Sequence, residues 1–319
     1  MSGTTIMSEL ELELKVSERD DSAEGVAALR LTPTDGSALP PWTPGAHIDV
    51  LLGDDLVRQY SLCGDPSDQS SWRIGVLLEP ESRGGSRAIH ELNVGDTVRV
   101  RGPRNHFTLA ASPHYIFIAG GIGITPLLPM IAEAEATGAS WELHYGGRSA
   151  STMAFTDELR AHGDKVRFVP ADTDGRLDLE TILGDPRPDT LVYTCGPESL
   201  LTAVEERCAT WPDDALHLER FSGLPIDDSD NRAFTIDLER SGLTLDVGPD
   251  ESIFDVVRAA GVSVLGSCLE GICGTCETEV LDGEIDHRDA VLDDEERESN
   301  EVMMICVSRC RGDRLTLDL

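Results

Sequence analysis

Apolar positions along the chain fall into three successive patterns. From Leu10 to about Leu109 they form short strand-like runs cut by turn chemistry at Pro44-Gly45, Gly53-Asp54, Gly64-Asp65-Pro66, Gly84-Gly85 and Asn93-Val94-Gly95-Asp96. Short runs between such turns predict an antiparallel β-barrel. At Tyr115 the pattern changes. An apolar strand (115–119), a glycine turn and an apolar helix (125–136) lead to a strand (140–145) and a helix (154–161). Strands at 166–170 and 190–194 follow, the latter running through Cys195-Gly196-Pro197 into a helix over 198–210. Strands alternating with helices predict an α/β unit, a parallel sheet with helices on both faces.

Residues 222–231, with Pro225 and the acidic and serine run Asp227 to Asp230, read as a linker. Beyond them short strands return, with one helix near Ile253 to Ala260, which predicts a smaller α+β unit. The expected organisation is therefore a barrel over 9–110, an α/β domain over 111–221, a linker over 222–231 and a third domain over 232–319. A length of 319 residues suits two or three cores better than one. The uncharged stretch from Tyr115 to Ala132 is nearly long enough to span a bilayer, but three glycines and two prolines interrupt it. A strand, glycine turn and helix explain it better.

Composition narrows the partners. Hydrophobic residues make up 40% of the chain, with charge interspersed, as in a soluble globular protein. Against 59 Asp and Glu stand 26 Lys and Arg, a formal net charge of −33, which repels polyphosphate backbones and anionic lipid surfaces. Nucleic acid and membrane partners are disfavoured. Only Lys15 and Lys165 are lysines, so genome composition or a salty habitat accounts for the bias equally well. The stretch from Met1 to Leu14 holds three glutamates and no basic segment followed by an apolar run, so a cytoplasmic location is expected.

The strongest chemical signal is Cys268-x4-Cys273-x2-Cys276, with Cys306 after a further 29 residues. This is the plant-type [2Fe–2S] spacing, in which a tight loop supplies three thiolates and the fold returns the fourth. Gly266, Gly271 and Gly274 punctuate the loop, where a missing Cβ lets backbone amides turn toward the sulfurs. A zinc site is the alternative, although zinc modules usually pair two short knuckles rather than three ligands plus one. Cys310, four residues beyond Cys306, is a competing ligand or a buried core thiol, and Cys63 and Cys208 read as core.

Two further constellations point to nucleotides. Arg58-Gln59-Tyr60-Ser61-Leu62 lies on a predicted strand, with a cation for a phosphate, a ring for a flat heterocycle and a hydroxyl for a ring nitrogen. Arg83-Gly84-Gly85-Ser86 adds backbone amides, a hydroxyl and another cation at the start of a helix. Each alone is commonly structural; together they suggest a phosphate-bearing flavin. In the α/β unit, Gly120-Gly121-Ile122-Gly123-Ile124-Thr125-Pro126 joins strand to helix through a turn that brings backbone close to a pyrophosphate. Cys195-Gly196-Pro197 repeats the strand-to-helix join at the carboxyl edge, where open parallel sheets bind ligands. Cys195 either flanks a nicotinamide or is a buried thiol.

From Arg232 to Leu319 the chain resembles a plant-type ferredoxin, and the three patterns together resemble the ferredoxin–NADP reductase superfamily. The order barrel, α/β domain, ferredoxin resembles the phthalate dioxygenase reductase family, which includes vanillate demethylase oxidoreductases. That resemblance implies FMN, NADH and one [2Fe–2S] cluster feeding a separate Rieske oxygenase. Carried onto this sequence, Arg58, Tyr60, Ser61, Leu62, Gly84, Gly85 and Ser86 would hold FMN. Gly120, Gly121, Gly123, Thr125, Pro126, Cys195, Gly196 and Pro197 would serve NADH, and Cys268, Cys273, Cys276 and Cys306 would ligate the cluster. Phe221, in Leu218-Glu219-Arg220-Phe221, matches the aromatic that covers the flavin, though an aromatic at a domain end also serves packing.

NADH yields two electrons together and the cluster accepts one at a time, so a flavin must stand between them. No side-chain nucleophile or acid–base pair is needed. Two rivals stay open: a reductase for a cytochrome P450 or other monooxygenase, and a non-catalytic iron–sulfur redox sensor. Arg148-Ser149, after Gly146-Gly147, is a place where an arginine can hold the 2′-phosphate of NADPH or simply be solvated. Residues 232–319 carry a net charge of −13, and the run Asp293-Asp294-Glu295-Glu296 lies shortly before Cys306. An oxygenase with a basic rim would dock there, or the surface is merely acidic.

Overall fold

The computed structural model describes residues 10–53, 56–80, 82 and 84–319. Arg83 and Asp54, invoked above, and the stretch before Leu10 lie outside the described residues. The chain divides into two units, 1–219 and 220–319. Arg220 and Phe221 thus fall with the C-terminal unit, two residues short of the boundary expected from sequence.

The first unit opens with six antiparallel strands: β1 (Glu11–Asp20), β2 (Val26–Pro33), β3 (His47–Leu51), β4 (Val57–Ser61), β5 (Trp72–Leu77) and β6 (Thr97–Arg104). Their order is β4-β3-β6-β1-β2-β5, and a bridge between Leu62 and Ile74 joins the two ends, closing a barrel. Alternate residues point inward, as the period of a strand requires, so Leu14 and Val16, Leu29 and Leu31, Ile48 and Val50 fill the core. Helix α1 (Gly85–Glu91) adds Ile89 to it. Between Ile48 and Val50, Asp49 is fully buried and held by Arg101 (3.1 Å) and Arg104 (2.6 Å) of β6. Removing one member of such a buried group costs about 3–5 kcal/mol, because a charge is stranded without its partner.

The same unit continues into a parallel sheet of β7 (His114–Gly120), β8 (Ser140–Gly147), β9 (Val166–Pro170), β10 (Thr190–Cys195) and β11 (Leu216–Glu219), ordered β11-β10-β7-β8-β9. Helices α2 (Leu127–Thr137), α3 (Thr156–Arg160), α4 (Ala171–Asp174), α5 (Leu179–Leu183) and α6 (Glu198–Cys208) connect the strands. Along β7, Tyr115, Phe117 and Ala119 enter one apolar core and Ile116 and Ile118 another, which is why the strand reads as an unbroken apolar run. The helix expected from residue 125 begins at Leu127, because Gly121–Ile124 makes a tighter 3₁₀ turn and Pro126 is its cap. The helix expected from 154 starts at Thr156, after Phe155 adopts a left-handed backbone at φ 60°. Barrel and sheet share one unit through real contacts: Arg73 of β5 donates to Glu158 of α3 (3.0 and 3.1 Å), and Tyr193 of β10 donates to Thr108 O (3.0 Å).

The C-terminal unit contains β12 (Phe234–Leu238), β13 (Leu243–Val247), α7 (Ile253–Ala259), β14 (Glu277–Asp282), β15 (Ile285–Asp286), α8 (Asp294–Ser299), β16 (Val302–Met304), β17 (Arg309–Cys310) and β18 (Arg314–Leu317). Five strands form a mixed sheet ordered β13-β12-β18-β14-β16, with β12 and β18 parallel, and β15 pairs with β17. Helix α7 lays Ile253, Phe254 and Val257 onto the sheet. Helix α8 was not expected from sequence. Its acidic run conceals a capping box, in which Asp293 accepts the Glu296 N–H and Glu296 accepts the Asp293 N–H. Among the described residues no helix is long and apolar enough to cross a membrane.

Candidate functional site

Strand β4 delivers the first group of residues. The Arg58 stem crosses the start of α1, where a Cβ at Gly85 would sit 2.3 Å from Arg58 Cγ. Arg58 and the Gly84-Gly85-Ser86 turn therefore converge. Ser86 Oγ donates to Ser82 Oγ (2.9 Å) and accepts the Glu79 N–H (3.1 Å). Burial holds the Tyr60 phenol above its ordinary value, with the Arg58 charge opposing. A cation and a half-buried ring on β4 with a hydroxyl at the start of α1 suit a phosphate-bearing flat heterocycle. Leu62 does not join them. It is fully buried in the barrel core, its N–H bonded to Ala46 O (2.8 Å), because the bridge to Ile74 turns it inward.

The second group lies at the carboxyl ends of β7 and β10, the neighbours at which the strand order reverses and where open parallel sheets bind ligands. Gly120, Gly121 and Gly123 leave β7 as Cys195-Gly196-Pro197 leaves β10. A Cβ at Gly123 would fall 2.2 Å from Cys195 O, so the two turns meet backbone to backbone. Thr125 is buried, its hydroxyl donating to Ile122 O (3.0 Å), and Pro126 is buried beside it. Cys195 is fully buried, and burial, reinforced by Glu219, pushes its thiol well above the usual range. It is a buried, neutral thiol at pH 7 rather than a nucleophile.

Sequence reasoning missed Glu219 and Thr194. Glu219 ends β11 opposite Cys195. Burial drives its carboxyl up to about 8, against a hydrogen bond from Ser61 that favours the ionised form. Glu219 Oε2 and Thr194 Oγ1 are buried with no partner among the described residues. Buried polar atoms without partners are uncommon; Glu219 lies beside Ser61 of the barrel group, whereas Thr194, paired with Ile118, faces the other side of the sheet. The available signal is an acid closing the last parallel strand, two residues before Phe221. Phe221 itself lies in the C-terminal unit, 37% exposed.

In the C-terminal unit the four predicted cysteines form two pairs. Cys268 adjoins Cys273, and Cys276 adjoins Cys306, each close enough to perturb the other's thiol. Proximity to Cys268 holds the Cys273 thiol below its usual range. Backbone N–H groups lie at the sulfurs: Glu270 donates to Cys268 (3.3 Å), the Ile272 N–H lies close to the same thiol, and the Gly271 N–H lies close to Cys306. Two thiol pairs ringed by amides fit a two-iron cluster, which takes two thiolates per iron, better than one tetrahedral zinc. Cys310 belongs to neither pair: it is partly buried against the apolar core of this unit, its thiol donating to Arg314 O at 3.4 Å. Cys63 and Cys208 are buried.

Comparison with known proteins agrees with this geometry. Residues 236–311 match the family model described as a 2Fe-2S iron-sulfur cluster binding domain. The chain is 44% identical over 319 residues to the carnitine monooxygenase reductase subunit of Escherichia coli (strain K12), covering 96% of this chain and 98% of that one. The solved structure of a phthalate dioxygenase reductase, described as modular for electron transfer from pyridine nucleotides to [2Fe-2S], superposes with a TM-score of 0.71 at 36% identity. That match covers 97% of this chain and 98% of the other. An intact type IV self-sufficient cytochrome P450 monooxygenase superposes with a TM-score of 0.91 at 48% identity over 97% of this chain, which spans 41% of the P450 chain.

Proposed function

Because the chain belongs to the phthalate dioxygenase reductase family of oxidoreductases, we propose that it takes electron pairs from NADH and passes them singly, through FMN and a [2Fe–2S] cluster, to a separate Rieske-type oxygenase. The observation that carries the reading is the contact of Ser61 with Glu219, which joins the strand bearing Arg58 and Tyr60 to the turns bearing Gly123 and Cys195. Direct transfer between two rings requires their sites to abut in this way. FMN, when bound, accepts a hydride and releases its electrons one at a time.

The chain's own residues do the rest. Arg58, Ser86 and the Gly84-Gly85 amides would hold the flavin phosphate, Tyr60 offers a ring face, and Ser61 offers a hydroxyl. Gly120, Gly121, Gly123, Gly196 and Pro197, with Thr125 and Pro126 buried in the same turn, would receive the nicotinamide nucleotide. Cys195 and a protonated Glu219 would keep this end of the sheet uncharged. On this reading 9–110 serve FMN and 111–221 serve NADH, while 222–231 link them to the cluster domain at 232–319. NADH is favoured over NADPH because the Asp172 N–H bonds Arg148 O (3.1 Å), bringing the acidic α4 to the end of β8 where a 2′-phosphate would lie. A cytoplasmic site keeps the closely spaced thiols reduced.

A P450 acceptor is the second reading, favoured by the 48% identity to the reductase portion of the self-sufficient P450. One experiment sorts the readings. The purified protein is analysed for flavin by mass spectrometry and for iron and sulfide, then titrated with NADH under anaerobic conditions. FMN, two irons per chain and NADH-driven bleaching followed by cluster reduction support the proposal. FAD at one per chain overturns the phosphate assignment, and failure to reduce cytochrome c with NADH leaves the redox sensor. Candidate Rieske and P450 partners, supplied in turn, then identify the acceptor.

A further inference from the structure

Cys268, Cys273 and Cys276 lie on one loop, whereas Cys306 arrives from a different part of the chain, so something must hold the two in register. Asp289 is placed to do so. It is 1% exposed, the most deeply buried carboxylate of the C-terminal unit among the described residues. Every bond to its carboxylate comes from a donor: the Val291 N–H (3.1 Å), the Leu292 N–H (3.0 Å) and the Ser308 hydroxyl (3.3 Å). Arg297 of α8 stands 3.9 Å away, and donates to Asp289 O at 2.7 Å.

Two of these contacts lead to the cysteines. Ser308, two residues after Cys306, is clamped from both sides, donating to Asp289 and accepting the Arg288 N–H (3.2 Å). On the other side, the Ala290 N–H bonds Gly271 O (2.8 Å). Gly271 has a left-handed φ of 70°, and a Cβ there would fall 2.6 Å from Val307 and 3.0 Å from Asp289 Cα. The N–H of the same glycine lies close to the Cys306 thiol. The segment 288–292 is thus wedged between the three-cysteine loop and the turn that carries the fourth thiol. The His287 ring packs against it, Nδ1 3.8 Å from the carboxylate, with no hydrogen-bond partner for either nitrogen among the described residues.

We propose that Asp289 is a positioning residue for the iron–sulfur centre: its buried carboxylate locks the Cys306 turn to the Cys268–Cys276 loop through Ser308 and Gly271, and adds a fixed negative charge beside the cluster. The proposal rests on the assignment of these four cysteines as ligands. A buried charge is poorly screened, so it opposes addition of an electron nearby, and outer-shell hydrogen bonds of this kind tune metal-centre potentials.

The test is made on the full chain with FMN and cluster loaded. Iron and sulfide content and the visible spectrum of the parent protein report on the ligand assignment by themselves, independently of Asp289. In Asp289→Asn, which keeps the shape, we expect the cluster to remain, its midpoint potential to move in the positive direction, and its loss to a chelator to become several-fold faster. Ser308→Ala, which changes no charge, should speed chelator loss with a smaller change in potential, and serves if Asp289→Asn does not fold. Glu295→Gln removes an equal charge from the exposed face of α8 and should leave both quantities in place. A folded Asp289→Asn protein with the parent's potential and chelator rate overturns the proposal. So does a Glu295→Gln shift as large as that of Asp289→Asn, because the effect would then be one of net charge.

Discussion

Ser61, closing β4 of the barrel, has its hydroxyl within hydrogen-bonding reach of the carboxyl group of Glu219, closing β11 of the parallel sheet. That contact brings the last residue of a flavin-type strand to the last residue of a nucleotide-type sheet, at a point where Glu219 Oε2 is buried without a partner among the described residues. The molecule keeps a polar, poorly satisfied spot where two rings must meet. Such spots are costly to fold and are retained where a ligand completes them.

That cost has a pH signature. In the unfolded chain the Glu219 carboxyl titrates near 4.5, and in the folded protein burial raises it to about 8. Below the lower value both states hold the proton. Between roughly pH 4.5 and 8 the unfolded chain releases it while the folded protein keeps it, so stability falls as pH rises through this window and then levels off. Glu219→Gln abolishes the titration. Its Tm should stay close to the parent's near pH 5 and exceed it by roughly 10 °C at pH 8.5, since the window is worth roughly 4 kcal/mol at about 2–4 °C per kcal/mol. A difference that stays constant with pH would refute the assignment.

Gly123 offers a test that separates nicotinamide binding from the rest. A methyl group there would meet Cys195 O at 2.2 Å, so the two turns must part by about 1 Å to reach ordinary contact. Misplacement on that scale costs about 100-fold in a step that depends on alignment. Gly123→Ala should retain its flavin and its cluster spectrum, while NADH-driven flavin reduction in stopped flow slows by about two orders of magnitude. Unchanged reduction kinetics would place the nicotinamide elsewhere.

How much of this was legible in the sequence depended on the range of the interaction. Periodic signals held: the long apolar run at Tyr115 is a strand buried on both faces, and the 166–170 strand is β9 to the residue. Capping geometry was harder to see, since α8 is set by the reciprocal bonds of Asp293 and Glu296 inside what reads as a charge run. Long-range approach was invisible. Leu62 follows directly on the Arg58–Ser61 strand, yet a bridge to Ile74 draws it into the core. Glu219 and Asp289 owe their environments to chain segments far away in sequence, and no local pattern announces a buried carboxylate.

The cysteine pairs separate ligand from bystander. Cys273→Ser removes a thiol whose partner is Cys268 and should abolish or cripple the cluster, with NADH-to-flavin transfer largely intact because those residues lie in the other unit. Cys310 is bonded to Arg314 O rather than to another thiol, so Cys310→Ser should leave iron content and the reduced-cluster EPR signal as they are. Loss of the cluster in Cys310→Ser together with its survival in Cys306→Ser would mean that the fourth ligand has been misassigned.

The acidic surface of the C-terminal unit leads to the last expectation, and the structure changes how it should be tested. Asp293 and Glu296 cap α8, so reversing them would unravel the helix as well as its charge. Asp294 and Glu295 are exposed and lie outside that reciprocal pair, which makes them the better probes. If an oxygenase with a basic rim is steered to this face, Asp294→Lys combined with Glu295→Lys should slow electron transfer to it several-fold at low ionic strength, with flavin reduction by NADH unchanged. The difference should fade as salt is raised, because the screening length drops from about 30 Å at 0.01 M to about 10 Å at 0.1 M. Transfer to the acceptor that is indifferent both to salt and to these reversals would leave the acidity as a property of the whole chain, whose net charge is −33, and not of a docking face.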